Sequence, residues 1–154
     1  MKYWEDFKVG EATELGSCSL SEEEIVAFAR KYDPQPFHTD EVAARRSIFG
    51  GLIASGWHTC ALLMRLSVEA MQREQAAATG SPGVDSCRWL RPVRPGDVLA
   101  GRTEVLESWP SKTRPLGFVR RRVEMVNERG EVVLAIVGIT LYQRRPPAPA
   151  GEPA

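Results

Sequence analysis

The chain has no charge of either sign to spare. Twenty basic residues balance twenty acidic ones among 154, giving a formal net charge of zero. That removes the broad electrostatic argument for a nucleic-acid partner, and it leaves little repulsion to oppose self-association. Histidine is scarce: only His38 and His58 occur. Taken with Asp40 they match no usual ligand spacing, so no metal is expected. Cysteine is scarce and odd in number, and Cys18, Cys60 and Cys87 show no CxxC pattern. They read as reduced, mostly buried thiols of a cytoplasmic protein. Only Cys60 has a histidine nearby in sequence, and side chains at i and i+2 of a helix face different ways. No apolar run approaches the ~20 residues of a bilayer span, so no membrane role is expected. The opening MKYWEDFKVGEATELG has no apolar core of signal-peptide length. No internal repeat is visible.

What is present is an ordinary globular balance, 43% hydrophobic and 26% charged, most simply one domain over residues 1–145. The remainder, residues 146–154 of the Pro/Ala-rich RRPPAPAGEPA end, is expected to pack little. SLSEEEIVAFARKY sets Ser21 three residues before Glu24, a capping box that predicts a helix over 21–31. Pro34 and Pro36 stop it. Thr39 or Asp40 can cap a short second helix in HTDEVAARRS. The longest helical pattern runs over 56–78. Trp57, Ala61, Met64, Val68 and Met71 recur at steps of four and three, and this apolar stripe is expected to face the core.

After TGSPG the pattern turns to strands over about 84–91, 97–109, 116–127 and 131–144, following an N-terminal strand. NERGE reads as the hairpin turn between the last two. Alternation in RRRVEM puts Arg120 and Arg122 on one face and Arg121 on the other, so the three arginines are not one patch; two are expected in solvent and one at a sheet edge or interface. One long helix wrapped by an antiparallel sheet is an α+β arrangement. Such a sheet covers the helix on one side and leaves an edge open. Pairing with a second copy would cover both, so a homodimer or a dimer of dimers is expected.

The stretch YDPQPFHTDE gathers two prolines, two aspartates and a histidine within residues 32–41. Asp33 and Gln35 each precede a proline and are pushed toward extended backbone, while the prolines fix their own φ. This lowers the entropy lost in holding Asp33 and His38 in one arrangement. A carboxylate and an imidazole that share one water can activate it. A capped turn beside a satisfied histidine is the alternative reading of the same residues. In IFGGLIASGWHT, residues 48–59, Ser55 and Gly56 stand at the start of the long helix. The first-turn N–H groups there lack intrahelical partners, and glycine leaves room for a ligand against them. For a carbonyl becoming an enolate, such a helix start is an oxyanion hole; a plain helix start is the alternative.

Together these stretches resemble the MaoC-like dehydratases, a group that includes (R)-specific enoyl-CoA hydratases with the hotdog fold. The matching pattern is a helix, then Asp33-x-Gln35-Pro36-x-His38-x-Asp40, then Phe49 and Gly56 opening an apolar helix. RWLRPVRPGDVLAGRTEVLE and SKTRPLGFVRRRVEMVNERGEVVLAIVGITLY resemble the strands that close the family fold, so the likeness spans roughly residues 5–143. Gln35 stands where the family usually has Asn, and Ser55 where many members have His. The resemblance implies a single hotdog domain, an antiparallel sheet wrapped around a long central helix. It implies that Asp33 and His38 activate the water added to C3 of a trans-2-enoyl thioester, or run the reverse dehydration. The Gly56 N–H would then hold the thioester oxygen. No separate cofactor is implied, since coenzyme A is part of the substrate.

For the acyl group, Phe37, Phe49, Leu52 and Trp57 are expected as apolar walls, with Gln35 and Ser55 beside the catalytic pair. Arg88, Arg91, Arg94, Lys112 and Arg114 are candidates to meet the coenzyme phosphates. His58 is expected to be structural. Two other functions compete. A hotdog thioesterase would carry an early carboxylate on the central helix, where the first acidic residue here is Glu69. A non-catalytic acyl-thioester-binding subunit would have no need of both Asp33 and His38.

Overall fold

The computed structural model describes residues 1–147. The expectation for the Pro/Ala-rich end lies outside them apart from Pro146 and Pro147. A 3-10 turn at Trp4–Asp6 leads into β1 (Ala12–Ser19), followed by α1 (Glu22–Tyr32), α2 (Pro36–Thr39), α3 (Glu41–Arg46) and α4 (Gly56–Arg73). Four strands complete the chain: β2 (Ala78–Trp89), β3 (Val98–Pro110), β4 (Leu116–Asn127) and β5 (Val132–Gln143). All pair antiparallel in one sheet of order β1-β3-β4-β5-β2. This is the α+β hotdog arrangement, with α4 packed on the inner face of the sheet.

Local chemistry sets several of these boundaries. The Ser21 hydroxyl accepts from the Glu24 N–H at 3.2 Å, and the Glu24 carboxylate accepts from the Ser21 N–H at 2.8 Å, so the expected capping box starts α1. Asp40 caps α3, its carboxylate accepting from the Val42 and Ala43 N–H groups. Pro36 opens the single turn α2, a position that needs no N–H, and the turn carries His38. At the far hairpin, Gly130 takes φ +77°, and the Asn127 side chain accepts from the N–H groups of Arg129 and Glu131.

The long helix is shorter than its sequence pattern predicts. It ends at Arg73, with Gln75 in the left-handed region at φ +50°. The Ala76 N–H reaches Met71 O and the Gln75 N–H reaches Gln72 O. That is a Schellman stop built without glycine, so no residue pattern announces it. TGSPG in turn lies inside β2 rather than before it. The register of β2 against β5 breaks at Gly80 and Gly83, where φ is +147° and +145°. Only an edge strand tolerates such bulges and a proline together.

The buried face of α4 also differs from the expected stripe. Leu63, Leu66 and Ala70 are buried among Leu15, Leu99, Met125 and Leu134. Trp57, Met64 and Val68 are 60%, 61% and 38% exposed. Both rows of side chains recur with the helical period, so periodicity could not choose between them; the sheet packs on the leucine row. The arginines of β4 separate as alternation predicts. Arg120 and Arg122 pair with Asp85, Glu107 and Glu104 on the outer face. Arg121 is neither at an edge nor free. It lies on the inner face with its guanidinium 4.7 Å from the Phe7 ring and 5.5 Å from that of Tyr142.

Leu63→Ala removes a side chain in the middle of the face the sheet covers. It should cost about 2–5 kcal/mol of unfolding free energy, measured by urea denaturation. Loss within about 0.5 kcal/mol would mean that the leucine row does not form the core.

Candidate active site

α1 ends at Asp33, whose backbone (φ −152°, ψ 67°) turns the chain out of the helix. Gln35 is extended, and α2 then swings His38 back beneath it. The His38 ring is buried, and its Nδ1 lies 2.8 Å from the Ile53 carbonyl oxygen. A carbonyl can only accept, so Nδ1 carries a proton, and Nε2 is the nitrogen that faces the site. Nε2 lies 3.3 Å from Asp33 Oδ2. When the ring is neutral, Nε2 and the carboxylate are two acceptors facing the same point, which suits a molecule that brings two hydrogens.

Asp33 is held at both oxygens. The Gln35 side-chain amide donates to Oδ1 at 2.7 Å, and the Ser55 hydroxyl donates to Oδ2 at 2.7 Å. Partial burial pushes the Asp33 pKa up, but these two hydrogen bonds, together with the charge and hydrogen bond of the His38 ring when it is protonated, outweigh it. The net shift is downward, so the group is ionised at neutral pH. Ser55 is completely buried and is also the cap of α4, its oxygen accepting from the Trp57 N–H at 3.3 Å. The hydroxyl thus ties the carboxylate to the helix start. Gly56 follows immediately, and its N–H has no hydrogen-bond partner among the described residues.

These groups open onto a pocket of about 480 Å³, within the range of small-molecule sites. Asp33, Gln35, His38 and Gly56 line it, with Phe37, Phe49 and Trp57 as apolar walls and Arg91 at its border. Phe37 and Phe49 pack on each other at 5.2 Å. Leu52 is buried away from the pocket, and Arg88 is exposed on β2 outside its lining. Arg94 is a brace: its guanidinium donates to the Phe49 carbonyl at 2.5 Å. Lys112 and Arg114 belong to the β3–β4 turn and are not part of the lining. Arg91 pairs loosely with Glu131 at 3.5 Å.

Sequence reasoning missed Trp89. A Cβ built on Gly56 would overlap its indole, and its ring meets Trp57 edge-to-face at 5.1 Å. Only the register of β2 brings residue 89 over residue 56, and no local pattern announces it. His58 is packing material, as expected: its ring stacks on Phe28 at 4.5 Å, and burial pushes its pKa down against the pull of Glu24. Burial and the neighbouring Cys87 push the Cys60 thiol up to about 12, which removes it as a nucleophile. Among the described residues no three His, Cys, Asp or Glu side chains could hold a metal ion. Nor, among them, is any helix long and apolar enough to cross a membrane.

Residues 6–127 match the family described as MaoC like domain, and the chain belongs to that family of hydratases and dehydratases. It is similar to a MaoC-like dehydratase from Rhodospirillum rubrum, whose crystal structure aligns with TM-score 0.87 and 42% identity, covering 95% of this chain and 99% of that one. It is 32% identical over 114 residues to the 3-hydroxybutyryl-CoA dehydratase of Methylorubrum extorquens, 73% of this chain and 69% of the relative. The Bacillus subtilis protein YdeM, itself uncharacterised, is 30% identical over 125 residues, 81% of this chain and 87% of the relative.

The lowered Asp33 pKa fixes the sign of a pH effect. A carboxylate depressed below its unfolded value contributes stability that is present above the unfolded pKa and lost as pH falls through the folded one. Ser55→Ala removes a donor to the ionised form, so the Asp33 titration followed by carboxyl-carbon NMR should move to higher pH. An unchanged or lower midpoint would mean that the hydroxyl does not hold the charge.

Proposed function

We propose that the chain adds water to a trans-2-enoyl-CoA to give the (R)-3-hydroxyacyl-CoA, or runs the reverse dehydration. The observation that carries this reading is the convergence of an ionised carboxylate, an imidazole lone pair and an unpaired helix-start N–H on one pocket. A water between Asp33 Oδ2 and His38 Nε2 donates one hydrogen to each. As its oxygen bonds to C3 of the enoyl group, a proton passes to the pair, and the C2–C3 π electrons move toward the thioester oxygen. The Gly56 N–H binds that oxygen as it becomes an enolate, with the positive end of α4 behind it. A proton returned to C2 completes the addition and restores both side chains. The apolar walls suit the acyl group, and Arg91 is the one cation of the described lining able to meet a coenzyme phosphate. The first turn of α4 holds no acidic residue, which weighs against hydrolysis of the thioester.

Asp33→Asn and His38→Ala should each lower crotonyl-CoA hydration, followed by loss of the conjugated-enoyl absorbance, by about 10²–10⁴-fold. Release of free thiol with the double bond intact would replace this reading with a thioesterase. Tight binding of acyl-CoA without turnover would replace it with a binding subunit.

A homodimer belongs to the same reading. The exposed Trp57, Met64 and Val68 row lies beside β2, an edge strand twelve residues long with an open ladder. A second copy covers both. Sedimentation equilibrium should give twice the chain mass, and Met64→Lys, which puts a charge in the middle of the row, should shift the protein toward monomer. A monomeric wild-type protein at micromolar concentration would overturn the dimer.

A further inference from the structure

The seam between α4 and β2 holds two cavities in line. The first is the pocket described above, reached by Gly56 and Trp57 from α4 and by Trp89 from β2. The second, about 130 Å³, is bordered by Met64 and Met71 of α4, Val84 of β2 and Ile136 of β5. On the helix, Gly56, Cys60 and Met64 succeed one another at one turn each, so Cys60 lies between the two cavities. On the strand, Cys87 lies between Val84 and Trp89 and pairs in register with Ile136. The Cys60 and Cys87 sulfurs are 3.7 Å apart, and the Trp89 indole N–H approaches the Cys60 thiol. The Trp89 indole thus lines the first cavity, with the Cys60 and Cys87 thiols in contact behind it.

We infer that Trp89 is the acyl-chain stop of this pocket. The inference rests on the acyl-thioester reading and deepens it, naming short enoyl groups of about four carbons as the class the pocket admits. The indole lies against Gly56 so closely that no side-chain carbon fits between them. A thioester oxygen on the Gly56 N–H therefore has the indole beside it, and the chain cannot continue along α4 toward Cys60. Trp57 closes the same side edge-on. Beyond the stop the second cavity offers Met64, Met71, Val84, Val123, Ile136 and Ile139 to the tail of a longer chain, with Arg121, Glu74 and several hydroxyls also on its border. Trp89 is 45% exposed, so a smaller residue there opens this wall without emptying the core.

The test compares kcat/KM for crotonyl-CoA and trans-2-octenoyl-CoA in the wild type, Trp89→Val and Trp89→Phe. In parallel, calorimetry measures binding of the saturated butyryl-CoA and octanoyl-CoA. The wild type should prefer the four-carbon chain. In Trp89→Val the eight-carbon to four-carbon ratio should rise at least about tenfold, and in Trp89→Phe it should rise less. A wild type that takes both lengths equally overturns the stop without any variant, as does a ratio unchanged in both variants. If the wild type hydrates neither substrate but its octanoyl-CoA binding tightens relative to butyryl-CoA in Trp89→Val, the hydratase reading fails and the stop stands. If it binds no acyl-CoA, both fail.

Discussion

One buried hydroxyl links the two halves of the site. Asp33 and His38 come from the segment after α1, whereas the Gly56 N–H comes from the start of α4, and Ser55 is in contact with both. Its hydrogen goes to Asp33 Oδ2 and its lone pair receives the Trp57 N–H. A hydroxyl has one donor, so fixing that donor on the carboxylate fixes where the carboxylate points relative to the helix axis. Because Ser55 has no exposed surface, water cannot take either role. The separation between the water site and the Gly56 N–H is in this way set by the covalent step from Ser55 to Gly56 and not by loop packing.

The segment from Asp33 to His38 was legible in the sequence because its constraints are local. Proline before and after Gln35, a capping box ahead of α1 and a glycine at a helix start all act within a few residues, and each appears where the pattern puts it. The role of Gln35 is a further case: its amide, one methylene longer than asparagine, still reaches Asp33 Oδ1. Positions decided by long-range pairing were not legible. Trp89 reaches Gly56 only through the register of β2 on β5, which is shifted three times by bulges. Arg94 looked like a phosphate ligand by charge and proximity, yet it donates to the Phe49 carbonyl, and that contact is visible only once the chain has folded.

Gly56 answers to two requirements that point the same way. The helix start must leave its N–H open to a ligand, and the Trp89 indole occupies the volume that any Cβ would need. Replacing the glycine would therefore displace the tryptophan or the helix start together with it. The Trp89 indole and the Gly56 backbone are thus one mechanical unit, although they belong to different elements.

The two apolar rows of α4 separate by what each neighbour can supply. The leucine row meets the concave face of the sheet, where Leu15, Leu99, Met125 and Leu134 fill the spaces between its side chains. Among the described residues the Trp57, Met64 and Val68 row is only partly covered, Trp57 by the edge of Trp89, and at 38% or more exposed each of these side chains is costly to leave in water. The same helix supplies the candidate site at its first turn: Trp57, at the head of the row, adjoins Gly56, and Met64 follows about 12 Å along the axis from Gly56. In the proposed dimer, a second copy seated on this row would border the seam where Trp89 meets Gly56.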